Sequence, residues 1–306
     1  MNLTPHLQRL RDRLLADPSL FPQRVDLFSQ RILFVQFSAN DYRQASFLDD
    51  RILTPATRGT WLGFGEVSAA LAGAEPGRPL HFIFHAGHVG STLVSRLLEE
   101  VGGVLALREP PPLRSLADAQ DTLTEQESLL SPARFDQLLR EQILLWSRGF
   151  DDTRGVVVKA TSSTGRVAPA LLQARQTTRA LYLYLALESY LATLLAGENS
   201  PIDLRGFAAE RVRRLRGFGI EMPAPAYAMS LGELAAMSWT VERLTQKTLA
   251  DACGERILAL NFEQILAAPG PSLRAICAHF QLAAPEAYFK EVAQNPVWNR
   301  YAKAPE

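Results

Sequence analysis

Short apolar runs alternate along this chain with longer segments that carry apolar residues at helical spacing. The runs lie at residues 80–84, 104–107, 156–158, 181–184 and 257–261. Helical patterns follow them at residues 93–101, 135–146, 167–175, 190–195 and 272–280. Runs that are apolar throughout suit strands buried on both faces, and the intervening helices are long enough for crossovers. The pattern therefore predicts an α/β fold of three layers, with a mostly parallel sheet of about five strands and helices on both faces.

A glycine- and proline-rich stretch at residues 72–79 separates an amino-terminal section from the predicted sheet. This section contains another strand pattern at residues 32–37. A chain of 306 residues is long enough to bury one large core. We predict a single domain over residues 1–306, in which residues 1–75 form an amino-terminal extension packed on the remainder.

The composition argues against several classes of partner. Lysine plus arginine and aspartate plus glutamate both total 32, so no net field attracts nucleic acid or an anionic membrane. The apolar stretch at residues 180–196 is interrupted by Glu188 and is short for a membrane span. Cys253 and Cys277 are too few for a disulfide framework or a structural zinc site. We expect a cytoplasmic protein without a metal, a membrane or a nucleic-acid partner.

The most specific chemistry lies in residues 85–92 (HAGHVGST), between a predicted strand and a predicted helix. Glycines there let successive backbone N–H groups face a ligand, and the positive end of the helix favours an anion. The lysine of the Walker pattern is missing, and Gly90 stands in its place. We predict a P-loop type of nucleotide-binding segment, with a plain strand-to-helix turn as the alternative. Its predicted binding residues are Gly87, His88, Val89, Gly90, Ser91 and Thr92.

This loop resembles the 5′-phosphosulfate-binding loop of sulfotransferases, where a basic residue, any residue, glycine and two Ser or Thr residues precede a helix. Later segments at residues 156–163, 179–195, 260–282 and 300–306 are similar to parts of bacterial sulfotransferase-like proteins, in the same order. The resemblance implies transfer of a sulfuryl group from the nucleotide donor 3′-phosphoadenosine 5′-phosphosulfate to a hydroxyl of a small acceptor. It demands no metal.

Two positions depart from the sulfotransferase pattern at the 3′-phosphate of the donor. An arginine after the fourth strand and a serine eight positions later normally bind this phosphate. Here Leu185 and Thr193 stand in their places. Thr193 keeps a hydroxyl and is predicted to bind the donor, whereas Leu185 cannot bind an anion. His88 replaces the usual lysine or arginine of the loop, which makes that charge depend on pH.

The resemblance also implies catalytic roles for charged residues beside the loop. His88 would stabilise the leaving group, with Lys159 as an additional charge. Glu109 would be the base, because tyrosylprotein-type sulfotransferases carry a similarly placed glutamate; a salt bridge with Arg108 or Arg114 is the alternative.

His85 is the substitute candidate for the base. The alternative interpretation is that its imidazole is hydrogen-bonded at the end of a strand and has no catalytic role. Two further segments receive no catalytic role. The adjacent carboxylates of residues 47–51 are expected to cap a helix or face solvent. The arginine-rich residues 202–228 are expected to form an exposed helical insertion, with a lid over an anion as the alternative.

Two other functions remain open from the sequence. One is a nucleotide- or phosphate-binding P-loop protein without catalysis, which the loss of the 3′-phosphate arginine favours. The other is a diverged kinase-like phosphotransferase.

Overall fold

The computed structural model of the chain describes residues 4–299, and two sheets organise it. The strands are β1 (Leu20–Asp26), β2 (Arg31–Gln36), β3 (Gly59–Gly63), β4 (Leu80–His85), β5 (Val104–Arg108), β6 (Gly155–Lys159), β7 (Ala180–Tyr184) and β8 (Ile257–Asn261). Strands β1, β2 and β3 form an antiparallel sheet. The larger sheet has the order β5-β6-β4-β7-β8, and all neighbouring strands are parallel.

Helices connect these strands and cover the larger sheet. They are α1 (Pro5–Ala16), α2 (Ala39–Gln44), α3 (Phe64–Leu71), α4 (Ser91–Glu100), α5 (Pro111–Asp121), α6 (Pro132–Trp146), α7 (Ala168–Ala174), α8 (Leu187–Ala196), α9 (Ser200–Gly206), α10 (Ala208–Gly217), α11 (Leu231–Cys253), α12 (Phe262–Ala267), α13 (Pro269–His279) and α14 (Glu286–Glu291). Short 3₁₀ turns lie at Asp50–Ile52, Thr164–Val167, Ala226–Ala228, Gly254–Arg256, Val292–Gln294 and Pro296–Asn299. The predicted α/β class and the five-stranded parallel sheet are confirmed.

The central strand β4 is buried along its whole length, which explains its continuous apolar sequence. Phe82 and Phe84 belong to the apolar core on one face of the sheet, whereas Ile83 belongs to the core on the other. The same alternation in β6 places Val157 in the second core. Helices on both faces therefore bury every position of these strands, as in other parallel sheets.

The amino-terminal section shares one apolar cluster with a face of the larger sheet. In this section Phe21, Phe37 and Tyr42 pack edge to face or at a tilt, with ring centroids 5.6–5.9 Å apart. The sequence pattern predicts only β2 of the three strands. The pairing of β1 shifts register at Pro22, and β3 is largely exposed, so neither strand shows a clean apolar alternation.

The arginine-rich segment forms α9 and α10, and the expectation of a solvated face is wrong for two of its arginines. Arg211 and Arg214 are 5% and 8% exposed. Arg211 binds the Asp203 carboxylate at 2.9 Å, and Arg214 binds the Glu242 carboxylate at 2.8 Å. Buried arginines of this kind are tolerated because carboxylates pair with them.

Across residues 4–299, no helix combines the length and the apolar character needed to cross a membrane.

Candidate functional site

The loop between β4 and α4 lies at the carboxyl end of the central strand. Gly87, His88 and Gly90 have φ angles of 89°, 53° and 69°, which places all three in the left-handed region. Helix α4 begins at Ser91 and has no side-chain cap. Turns that contain left-handed residues can bring successive backbone N–H groups to one side, and the uncapped helix start adds its positive end there. The loop predicted from the sequence therefore joins a left-handed turn to an uncapped helix start, an arrangement that suits an anion.

Buried side chains hold this loop in place. The Nδ1 atom of His85 accepts a hydrogen bond from the Gly87 amide at 3.0 Å, so the proton of the neutral ring lies on Nε2. Nε2 donates to the Ala160 carbonyl at 2.8 Å. The Tyr190 hydroxyl donates to the Ala86 carbonyl at 2.9 Å. Both ring nitrogens of His85 thus support the loop, which is the structural alternative that the sequence left open for this residue.

The polar side chains of the loop differ in exposure. His88 is exposed, whereas Ser91 and Thr92 are 5% and 3% exposed. The Thr92 hydroxyl is buried and has no hydrogen-bond partner among the described residues. Buried hydroxyls usually have a partner, because leaving one unsatisfied costs about 1–3 kcal/mol.

Glu109 and Lys159 lie at the carboxyl ends of neighbouring strands and form an ion pair. The Lys159 side chain is 1% exposed and that of Glu109 is 13% exposed. The Glu109 amide also donates to the Lys159 carbonyl at 2.7 Å. Glu109 has a φ of 55°, an unusual conformation for a residue with a side chain, and such conformations persist only where surrounding contacts impose them.

The two arginines considered as partners of Glu109 bind elsewhere. The Arg108 side chain is fully buried and pairs with Glu99. Arg114 donates to the Ser162 carbonyl at 3.2 Å. Glu109 therefore forms a salt bridge, but its partner is Lys159 and not Arg108 or Arg114, as the alternative from the sequence had it.

Residues 47–51 reach this site from the amino-terminal section. The Leu48 amide donates to the Arg108 carbonyl at 2.7 Å, which fixes the segment to the end of β5. The Phe47 ring centroid lies 5.6 Å from Lys159 Nζ and 3.4 Å from Arg51 Cζ. Asp49 caps the following 3₁₀ turn through the Arg51 amide, as expected from the sequence. Sequence reasoning did not place this segment beside Lys159, and no pattern in it indicates that contact.

The charges of this segment extend the ion pair into a cluster of alternating sign, formed by Asp49, Arg51, Glu109 and Lys159. Burial opposes ionisation of Asp49, but hydrogen bonds from Arg51 and the nearby charge of Lys159 outweigh it, so the Asp49 pKa is lowered. The hydrogen bond with Asp49 raises the Arg51 pKa, and Glu109 adds to the shift. We call these four residues the charged cluster.

The end of β7 differs from the phosphate site that the resemblance implies. Leu185 is 6% exposed within the second apolar core, and its carbonyl accepts a hydrogen bond from the Trp239 indole at 3.0 Å. Thr193 is exposed on α8, and its hydroxyl donates to the Ser189 carbonyl at 2.8 Å. The Arg243 guanidinium lies 4.0 Å from the centroid of the Tyr184 ring. An arginine of α11 therefore approaches this strand end. Residues 300–306, the last segment of the sequence resemblance, lie outside the described residues.

Phe262, directly after β8, contacts the loop from the other side. Its ring occupies the space that a Cβ atom on Gly90 would need. The next residue, Glu263, accepts a hydrogen bond from Ser189 at 2.5 Å and thereby links α12 to α8, the helices that follow β8 and β7. Within the described part of the chain, no group of three or more His, Cys, Asp or Glu side chains is placed to hold a metal ion.

Several solved structures similar in fold to this chain are sulfotransferases. The sulfotransferase domain from the curacin biosynthetic pathway is 13% identical and covers 75% of this chain and 82% of its own, with a TM-score of 0.45. The sulfotransferase domain of the Synechococcus olefin synthase is 17% identical and covers 76% and 86%, with a TM-score of 0.40. A Mycobacterium avium sulfotransferase is 13% identical and covers 97% and 89%, with a TM-score of 0.42.

Sulfotransferases are also the class of protein that the sequence motifs resemble. The likeness concerns the fold and assigns no role to any residue of this chain. No protein-family profile matches the chain, and no curated protein sequence matches it.

Proposed function

We propose that this chain is a sulfotransferase-like enzyme that transfers a sulfuryl group from 3′-phosphoadenosine 5′-phosphosulfate to a hydroxyl of a small acceptor. One observation carries the proposal: the left-handed loop and the uncapped start of α4 follow β4, at the same edge of the parallel sheet where Glu109 and Lys159 pair at the carboxyl ends of β5 and β6. An anion-binding nest holds the donor, and a carboxylate next to it can take a proton from the acceptor.

The loop suits the phosphosulfate part of the donor. Its backbone N–H groups and the start of α4 would bind the 5′-phosphate, with Ser91 supplying a hydroxyl. The Thr92 hydroxyl is buried and lacks a partner among the described residues, so a phosphate or sulfate oxygen would satisfy it only after a shift of the side chain or the loop on binding. His88 is exposed at the rim of the loop, where a cation would face the bridging oxygen.

The 3′-phosphate part of the donor fits less well. Leu185 is buried in the core where the resemblance expects an arginine, and Thr193 has its hydroxyl on the Ser189 carbonyl. A replacement that the described residues offer at this strand end is Arg243, which packs on the Tyr184 ring. We therefore propose a donor pocket that binds the phosphosulfate strongly and the 3′-phosphate weakly.

The reaction assigns a separate task to each group. The acceptor oxygen attacks sulfur in line, forming a new S–O bond as the bond from sulfur to the bridging phosphate oxygen breaks. The hydroxyl proton passes to the Glu109 carboxylate, while the electron pair of the broken bond remains on the 5′-phosphate. His88 and the loop amides stabilise that developing charge. Lys159 pairs with Glu109 and orients it, and the Phe47 ring packs against the Lys159 ammonium.

A second candidate function rests on Leu185. If the missing arginine reflects loss of catalysis, the chain is a phosphate- or nucleotide-binding protein built on the same loop. A kinase-like phosphotransferase is a weaker alternative, because the loop lacks the Walker lysine.

The decisive experiment supplies 3′-phosphoadenosine 5′-phosphosulfate with a panel of phenols, alcohols and sugars, and measures release of adenosine 3′,5′-bisphosphate. We expect acceptor-dependent release that Glu109→Gln reduces at least 100-fold, within the range of general acid–base catalysis. The matched control is Glu125→Gln, which changes an exposed glutamate outside the charged cluster. Binding without turnover would favour the non-catalytic function, and consumption of ATP that requires magnesium would favour the kinase alternative.

A further inference from the structure

A segment of the amino-terminal section packs against the end of β5, directly before Glu109. The fully buried Arg108 side chain donates to the carbonyls of Tyr42 and Ala45 at 3.0 Å each. The Arg108 carbonyl accepts a hydrogen bond from the Leu48 amide at 2.7 Å. Both the side chain and the backbone of residue 108 therefore hold this segment against the strand end that leads into Glu109.

Phe47 lies between two anchored neighbours in this segment. On one side, the Ser46 hydroxyl accepts a hydrogen bond from Arg96 of α4 at 3.1 Å. On the other side, the Leu48 side chain is fully buried in the first apolar core. The Phe47 backbone is thereby fixed between α4 and β5, so its ring has a defined place at the carboxyl edge of the sheet.

The Phe47 ring contacts two cations. Lys159 Nζ lies 5.6 Å from its centroid, inside the distance of about 6 Å at which a ring face attracts an ammonium. Arg51 Cζ lies 3.4 Å from the same centroid, and Asp49 binds this guanidinium with a hydrogen bond of 2.8 Å. Because the Lys159 side chain is only 1% exposed and pairs with Glu109, the ring restricts where the ammonium can lie and, through it, the carboxylate.

We propose that Phe47 is a positioning residue for sulfuryl transfer and that the amino-terminal section thereby orients the Glu109–Lys159 pair. The inference rests on the proposed function, in which Glu109 takes the proton of the acceptor. Donor binding depends on other contacts, because His85 and Tyr190 support the loop between β4 and α4. The segments that resemble sulfotransferases begin at that loop, so Phe47 lies in a part of the chain that the resemblance does not cover.

The experiment measures kcat, the KM for 3′-phosphoadenosine 5′-phosphosulfate and the free energy of unfolding, with the best acceptor of the panel and the full chain. We expect Phe47→Leu to lower kcat about tenfold, because leucine keeps apolar bulk but presents no ring face to an ammonium shielded from water. The donor KM should stay within about twofold of the wild-type value, since the lost contact acts on the transition state. Phe47→Tyr keeps the ring and should restore kcat. A purely structural role would lower stability without this separation of kcat from KM.

The matched control is Phe28→Leu, the same substitution in the same section at a side chain that is 86% exposed. It should leave kcat unchanged. Phe47 is half-buried, so Phe47→Leu should remain folded. Wild-type turnover that persists in Phe47→Leu, or equal losses in Phe47→Leu and Phe47→Tyr, would overturn this inference and leave the proposed function standing. A wild type without acceptor-dependent turnover would overturn the proposed function and this inference with it.

Discussion

The ring of Phe262 fills the space beside Gly90 that a side chain at position 90 would occupy. Gly90 also has a φ of 69°, which residues with a Cβ adopt only at a cost. The loop between β4 and α4 and the segment after β8 therefore fit together because residue 90 is glycine. A larger residue there would disturb this packing as well as any bound anion.

A double-mutant cycle separates these two requirements. We expect Gly90→Ala to lower the free energy of unfolding by more than 2 kcal/mol, because a left-handed backbone costs about 1–2 kcal/mol and the collision with Phe262 adds to it. In a Phe262→Ala background, the same change should cost only the backbone part. Chemical denaturation of the four proteins measures this difference, and equal costs in both backgrounds would contradict the contact.

The Glu109–Lys159 pair should be both structural and catalytic. Glu109→Gln leaves the Lys159 ammonium buried beside a neutral group, so we expect a stability loss of about 3–5 kcal/mol together with loss of turnover. The double variant Glu109→Leu/Lys159→Met replaces the pair with apolar groups and should regain most of the stability. Thermal unfolding and turnover of both variants test this. Turnover in a folded double variant would show that Glu109 is not the base.

These relationships show what the sequence could predict. The strands of the larger sheet are recognisable because both faces are buried, so that runs such as Leu80–His85 are apolar throughout. The loop residues are adjacent in the chain, and Glu109 and Lys159 lie at the carboxyl ends of neighbouring strands, which meet at one edge.

The remaining contacts depend on packing between distant segments. Phe47 reaches Lys159 only because the amino-terminal section packs on the end of β5. The Phe262 ring reaches Gly90 from the end of a different strand. The sequence around Arg211 and Arg214 is typical of a solvated helix face. Their burial depends on ion pairs with the carboxylates of Asp203 and Glu242, which the folded chain brings close.

The charge of His88 should make binding of the donor depend on pH. Histidine loses its charge between about pH 5 and 8, whereas lysine keeps it. We expect the affinity for adenosine 3′,5′-bisphosphate to fall in the wild type, relative to His88→Lys, as pH rises from about 5.5 to 8. Comparing the two proteins cancels the titration of the ligand. Calorimetry that finds parallel pH profiles would remove His88 from the site.

His81 should make the stability of the fold depend on acid. Burial, together with the positive charges nearby, lowers its pKa from 6.5 to about 4, so the unfolded chain binds a proton there that the folded chain does not. The contribution is complete above pH 6.5 and is lost as pH falls toward 4, amounting to about 3 kcal/mol.

Burial also lowers the pKa of His279, so this residue contributes to acid sensitivity in the same direction. Denaturation of the wild type and of His81→Phe between about pH 4 and 7 tests the assignment to His81. We expect a shallower pH dependence in the variant. Equal slopes would place the acid sensitivity on other groups.

The identity of the nucleotide depends on the strand end at Leu185. A charge-assisted hydrogen bond contributes about 1.5–3 kcal/mol, and the buried Leu185 cannot form one with a 3′-phosphate. We therefore expect the wild type to prefer adenosine 3′,5′-bisphosphate over adenosine 5′-monophosphate by less than about tenfold, or 1.4 kcal/mol. Calorimetric titration of both nucleotides at one salt concentration measures the preference, since salt screens phosphate contacts.

The matched variant is Arg243→Leu rather than Leu185→Arg, because an arginine at position 185 would be buried in the apolar core. If the small preference rests on Arg243, this variant should abolish it while leaving affinity for adenosine 5′-monophosphate unchanged. A wild-type preference of a hundredfold or more that disappears in Arg243→Leu would show that Arg243 has rebuilt the 3′-phosphate site. The same large preference in a folded Arg243→Leu variant would contradict the weak pocket and place the 3′-phosphate contacts on other residues.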